Sequence, residues 1–114
     1  MKAPAQNEIP EKGFYYHYKH DPLGTVNNYA YEFVGVGCHT EEDCRPEDAT
    51  MVIYRPLYES AFVFQAGKLF DLRPREMWMG DVVYGGKTIK RFAKITDEKV
   101  IQELIEIRKK LYGE

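Results

Sequence analysis

No hydrophobic run in these 114 residues approaches the roughly 20 that a membrane-spanning helix requires. The polar opening from Met1 to Lys12 carries no apolar stretch of the kind that marks an export signal. Both absences point to a soluble, cytoplasmic protein with no membrane partner. Charge of one sign is also lacking. Sixteen Lys and Arg stand against eighteen Asp and Glu, a net charge of −2, too balanced for a general binder of nucleic acid or membrane surfaces. Two cysteines, Cys38 and Cys44, are too few for a disulfide framework and are expected as thiols. Cys38, His39 and Cys44, even with His17 or His20 added, show no CxxC or HxxxH spacing, so neither a metal nor any other cofactor is expected.

What the chain has in excess is aromatic side chains, 14% of residues, nine of them Tyr. Rings suit a small β-rich fold whose few core positions must each bury much area. There are more of them than so small a core needs, so some are expected on the surface.

The chain reads as a flexible arm over 1–12, one domain over 13–95 and a helix over 96–114. Phe14–Tyr18 is a short aromatic edge-strand candidate, followed by a segment dense in turn formers from His20 to Asn28. Tyr29–Gly37 alternates, with Tyr29, Tyr31 and Phe33 on one face. His39–Thr50 holds five acids against Arg45 and reads as an exposed acidic loop. Met51–Tyr58 is a second strand whose Pro56 end belongs on an edge or bulge. Phe62–Gln65 is a third, brief one before a turn at Ala66-Gly67-Lys68. Arg73-Pro74 then forces an extended or turning backbone. Asp81–Tyr84, Gly85-Gly86 and Lys87–Ile95 form a hairpin whose two glycines can both take positive φ.

From Asp97 the period changes. Val100, Leu104, Ile107 and Leu111 recur three or four apart, joined by Ile101 and Ile105, with Thr96 or Asp97 as N-cap. The pattern is mainly β: a small, partly open β-barrel of about five short strands, its edge or mouth covered by a C-terminal α-helix.

Chemistry has three candidate locations. Cys38, His39 and Glu41 lie at a strand exit. Neighbours on a strand point to opposite faces, so His39 pairs more readily with Glu41, as an acid–base pair, than with Cys38. A loop-anchoring histidine is the plainer reading. In the second half Lys68, Arg73, Arg75, Lys87, Lys90, Arg91 and Lys94 outnumber Asp71, Glu76 and Asp81. Basic residues interleaved with rings suit single-stranded nucleic acid or a nucleotide, although alternating lysines on a hairpin more often protect an edge. Arg55 and Arg73 are each embedded between apolar or ring residues and need an acidic partner or a ligand, with Glu41 or Glu76 the expected internal partner.

Five ordered blocks carry a family likeness: Gly13-Phe-Tyr-Tyr-His17-Tyr18-Lys19, Tyr31 to Glu41, Val52 to Tyr58, Arg73-Pro74-Arg-Glu-Met77-Trp78 and Gly86 to Ile95. Together they resemble the small bacterial family known as domain of unknown function 1653. The resemblance implies a Src-homology-3-like barrel and no established activity. It matches His17, Tyr18, His39, Glu41, Tyr54, Arg55, Tyr58, Arg73 and Arg91 to the family's polar and aromatic pattern. The Asp21–Asn28 segment is longer than in the pattern, and Cys44–Thr50 reads as an insertion.

These observations favour a binding module whose Tyr18, His39, Glu41, Arg55, Tyr58, Arg73 and Trp78 recognise a small molecule such as a nucleotide, a nucleic acid or a peptide. One alternative is a small hydrolase or transferase using His39 and Glu41 on an anionic substrate. The other is a homo-oligomeric scaffold pairing through a barrel edge or the terminal helix.

Overall fold

The computed structural model describes residues 9–38, 40, 50–60 and 70–114. Strands β1 (Gly13–His17), β2 (Ala30–Cys38), β3 (Thr50–Pro56) and β4 (Asp71–Pro74) are followed by a short helix, α1 (Arg75–Met79). Then come β5 (Asp81–Tyr84), β6 (Lys87–Lys90), β7 (Phe92–Lys94) and the terminal helix α2 (Glu98–Tyr112). Five strands make one antiparallel sheet in the order β4-β3-β2-β1-β7, and β5-β6 form a separate hairpin. The sheet is not closed, as in a partly open barrel. Among the described residues no helix is long and apolar enough to cross a membrane.

Alternation along the strands gives the sheet two buried faces. On the first, Tyr15, Phe33, Val52, Tyr54 and Phe92 pack beneath Trp78 of α1. On the second, Phe14, Ala30, Leu57 and Ile95 pack beneath Leu104 of α2. Neighbouring residues of β1 thus serve different cores, Phe14 under α2 and Tyr15 under α1. Helix α2 is set as its pattern requires: the Asp97 carboxylate accepts from the backbone N–H groups of Lys99 and Val100, and Gly113 closes it with φ +77°.

Several expectations change. Strand β1 is not at an edge but between β2 and β7, because residues 92–94 return from the far end of the domain to pair with it. The long second arm of the hairpin divides at Arg91, whose N–H donates to the Gly80 carbonyl, and this lets Phe92 leave the hairpin for the main sheet. The glycine turn itself is as read, with φ +60° and +76° at Gly85 and Gly86. Residues 75–79 are helical, starting directly after Pro74 and stopping at Gly80. A Cβ on Gly80 would stand 2.8 Å from the Glu76 carbonyl oxygen. The Phe62–Gln65 strand, the turn after it and most of the acidic loop lie outside the described residues.

Candidate functional site

Sequence reasoning expected one surface, and the sheet divides it. Arg55 and Tyr54 are neighbours on β3, so their side chains take opposite faces. Arg55 enters the α2 side. Its Nε donates to Glu32 Oε1 at 2.9 Å and its Nη2 to Glu114 Oε1 at 2.8 Å, while Arg108 Nη1 reaches Glu32 Oε2 at 2.7 Å. The Tyr112 ring lies 4.1 Å from the Arg55 guanidinium carbon. Burial opposes the charge on Arg55, but its bonds to Glu114 and Glu32 raise its pKa above the usual arginine value. Among the described residues the partners are Glu32 and Glu114 and not Glu76, because antiparallel register puts Glu32 directly across from Arg55, while Glu41 lies outside the described residues. A groove of about 470 Å³ borders this network, but the network's charges already satisfy one another.

Trp78 is also displaced from the expected surface. It is 2% exposed, stacks on Phe92 at 4.5 Å and 9°, and meets Tyr15 edge-on at 4.7 Å. His39 and Glu41 lie outside the described residues.

Tyr18, Tyr58 and Arg73 do come together, on the α1 side of the sheet, around a residue that had been weighed only as a metal ligand and as part of the family pattern. His17, at the end of β1, stands 4.3 Å from the ring of Tyr18, 5.6 Å from Tyr29 at 26° and 5.2 Å from Phe92. Its Nδ1 accepts the Lys19 backbone N–H at 3.2 Å. Burial, then the positive charges of Arg73, Arg91 and Lys19, push its pKa down to about 4. At neutral pH the ring is therefore uncharged. With Nδ1 an acceptor, its proton belongs on Nε2, which has no hydrogen-bond partner among the described residues.

Arg73 and Arg91 approach Met77 from two sides. Arg73 Nε donates to the Tyr54 hydroxyl at 3.1 Å and Nη1 to Met77 Sδ at 3.3 Å, whereas Arg91 Nε donates to the Met77 carbonyl at 3.0 Å. Neither makes an ion pair among the described residues. Asp71, two residues before Arg73 on β4, is half-buried. Desolvation raises its pKa against the pull of Arg73.

The rings complete the cluster. The hydroxyls of Tyr31 and Tyr58 are 2.5 Å apart, and Tyr31 meets Tyr54, Tyr58 and Phe92 edge-on at 5.5–5.7 Å. Burial drives the pKa of both hydroxyls upward, so they remain protonated donors. Tyr29 is 40% exposed and is the one non-glycine among the described residues with positive φ, +51°, a conformation that costs a residue with a Cβ roughly 1–2 kcal/mol. The 18–29 turn enforces it: His17 N–H donates to the Tyr29 carbonyl, and the Asn28 amide ties Asp21 and Thr25 together. Beside it Thr25, Asn27, Asn28, Tyr29 and Tyr58 line a hollow of about 350 Å³. Sequence reading could have found His17, which ends an aromatic strand ahead of a turn-rich segment. Nothing in the sequence signals the backbone of Tyr29.

Comparison with known proteins assigns this architecture. The model of a protein family of unknown function, DUF1653, matches residues 13–94. The chain belongs to the DUF1653 family. A crystal structure of a DUF1653 protein from Bordetella bronchiseptica matches with 27% identity and a TM-score of 0.55, covering 82% of this chain and all of that one. No curated protein matches. The matched span of the DUF1653 model contains His17, Tyr29, Tyr31, Tyr58, Arg73 and Arg91, and leaves α2 outside it.

Proposed function

We propose that this DUF1653 domain is a ligand-binding module whose Tyr, His and Arg surface recognises a molecule carrying negative charge and a flat apolar part. One observation carries the reading: Arg73 and Arg91 both bond Met77 and form no ion pair among the described residues, beside an uncharged histidine and the exposed Tyr29 ring. Both are half-buried, and a guanidinium without an ion pair keeps donors in a geometry that suits an anion. The hydrolase or transferase alternative needs His39 and Glu41, and no observation favours it. The scaffold alternative has exposed apolar residues on β4 and β5, Leu72 at 60% and Val83 at 75%, with nothing to identify what covers them.

The test is a chemical-shift titration of the full chain with nucleotides, short single strands and acidic aromatic peptides. One class is expected to move the amides of Tyr18, Tyr29, Tyr58 and Arg91 together. Tyr58→Ala is expected to melt cooperatively and to lose that response. If saturating amounts of every class leave these amides unmoved, or move only those on the α2 side, the reading fails.

A further inference from the structure

Resting on that binding reading, we infer that the ligand is a nucleotide unit, its phosphate held between Arg73 and Arg91 and its base stacked at Tyr29. Both guanidiniums bond Met77 and both charges reach His17, and among the described residues neither forms an ion pair, Asp71 acting on Arg73 only through its charge. Each is oriented by its Nε bond and Arg73 Nη1 is taken by Met77 Sδ, so Nη2 of Arg73 and the two Nη groups of Arg91 remain for oxygens of a bridging anion. The planar fork matches phosphate geometry. His17 adds an uncharged N–H donor at Nε2, which the Lys19 backbone fixes as the protonated nitrogen.

The ring side of the same cluster supplies the second half. Tyr29 is held in a costly backbone conformation with its ring near-parallel to His17 and partly open to solvent. Strain kept at an exposed position is a mark of function. With Tyr58 it borders a hollow of about 350 Å³, at the small end of ligand sites and in keeping with a single base. Rings for stacking beside cations for phosphate are the elements by which proteins hold nucleotides and single strands.

Calorimetric titration of the full chain, in phosphate-free buffer at low salt, tests this with adenosine monophosphate, adenosine, inorganic phosphate, a single-stranded hexanucleotide and an acidic aromatic peptide. The monophosphate is expected to bind at least about tenfold more tightly than adenosine or inorganic phosphate, the scale on which one base stack or one phosphate contact acts. Arg91→Gln should weaken the monophosphate and phosphate alike and flatten the salt dependence. Tyr29→Asn removes the ring with a residue that tolerates left-handed backbone, and should weaken the monophosphate about tenfold while leaving phosphate unchanged. Tighter binding of the hexanucleotide than of the monophosphate would place the unit in a single strand, and the reverse would make it a free nucleotide. Adenosine binding as well as its monophosphate, or both variants binding like the parent, overturns the inference. Binding of the peptide alone through Tyr29 and Arg91 overturns it while the module reading stands, and silence from every probe removes both.

Discussion

Replacing Glu32 by Gln removes one charge from the network that fastens α2 to the sheet. Its carboxylate is shared by Arg55 at 2.9 Å and Arg108 at 2.7 Å, and the side chains of Glu32 and Arg55 are only 15% and 7% exposed. Glu114 contacts the same guanidinium but is 65% exposed, so solvent screens it and it cannot replace Glu32. Removing one member of a buried pair strands the other charge, at a cost of about 3–5 kcal/mol. Because Arg55 keeps Glu114, the low end applies, about 3 kcal/mol. In a domain of this size each kcal/mol lowers Tm by roughly 4–6 °C, so a fall of about 12–18 °C is expected. Urea denaturation, read by the fluorescence of Trp78, measures the free energy directly. The double variant Glu32→Leu with Arg55→Met, which replaces the pair with apolar side chains of similar bulk, should recover most of the loss. A loss below about 1 kcal/mol for Glu32→Gln, or a double variant no more stable than the single, refutes the reasoning.

Three further outcomes follow from the geometry. Trp78→Ala empties the first core and should cost about 3–5 kcal/mol, seen as loss of a cooperative melt. Asp97→Ala leaves the N–H groups of Lys99 and Val100 without their cap and should cost about 1 kcal/mol by urea midpoint at an unchanged slope. His17 has a folded pKa of about 4 against an ordinary 6.5. The unfolded chain therefore binds its proton first, and this contribution to stability is complete above pH 6.5 and is lost as pH falls toward 4. Asp71, with its pKa raised by burial, acts in the opposite direction. In an Asp71→Asn background, then, stability should fall between pH 6.5 and 4, and adding His17→Gln should flatten that fall.

How much could be read in advance depended on how local each feature is. Helix α2, with its three-and-four spacing and Asp97 cap, and the Gly85-Gly86 turn are encoded by neighbouring residues, and both were legible. So was the aromatic face of β2 at Tyr31 and Phe33. The central position of β1 was not, because its pairing with β7 spans almost eighty residues and leaves no local mark. Arg55 was correctly marked as needing an acid, but identifying Glu32 required the register of β2 on β3. The five-residue α1 is too short for periodicity to reveal, and so Trp78, placed by α1, was expected outside instead of in the core. Of the candidate site, Tyr18, Tyr58 and Arg73 were named in advance as binding residues and its other members were not. Ring and guanidinium chemistry on one face was expected, while Tyr29 depends on a backbone angle and His17 on a desolvation that only the fold creates.

The most direct test is the His17 ring resonance followed through pH, first alone and then with saturating adenosine monophosphate. The free protein should titrate near pH 4. A phosphate between Arg73 and Arg91 cancels the positive field that, after burial, holds that pKa down, so the midpoint should move upward when the nucleotide binds. A midpoint already near 6.5 in the free protein, or one that nucleotide at saturation leaves in place, would contradict the site described.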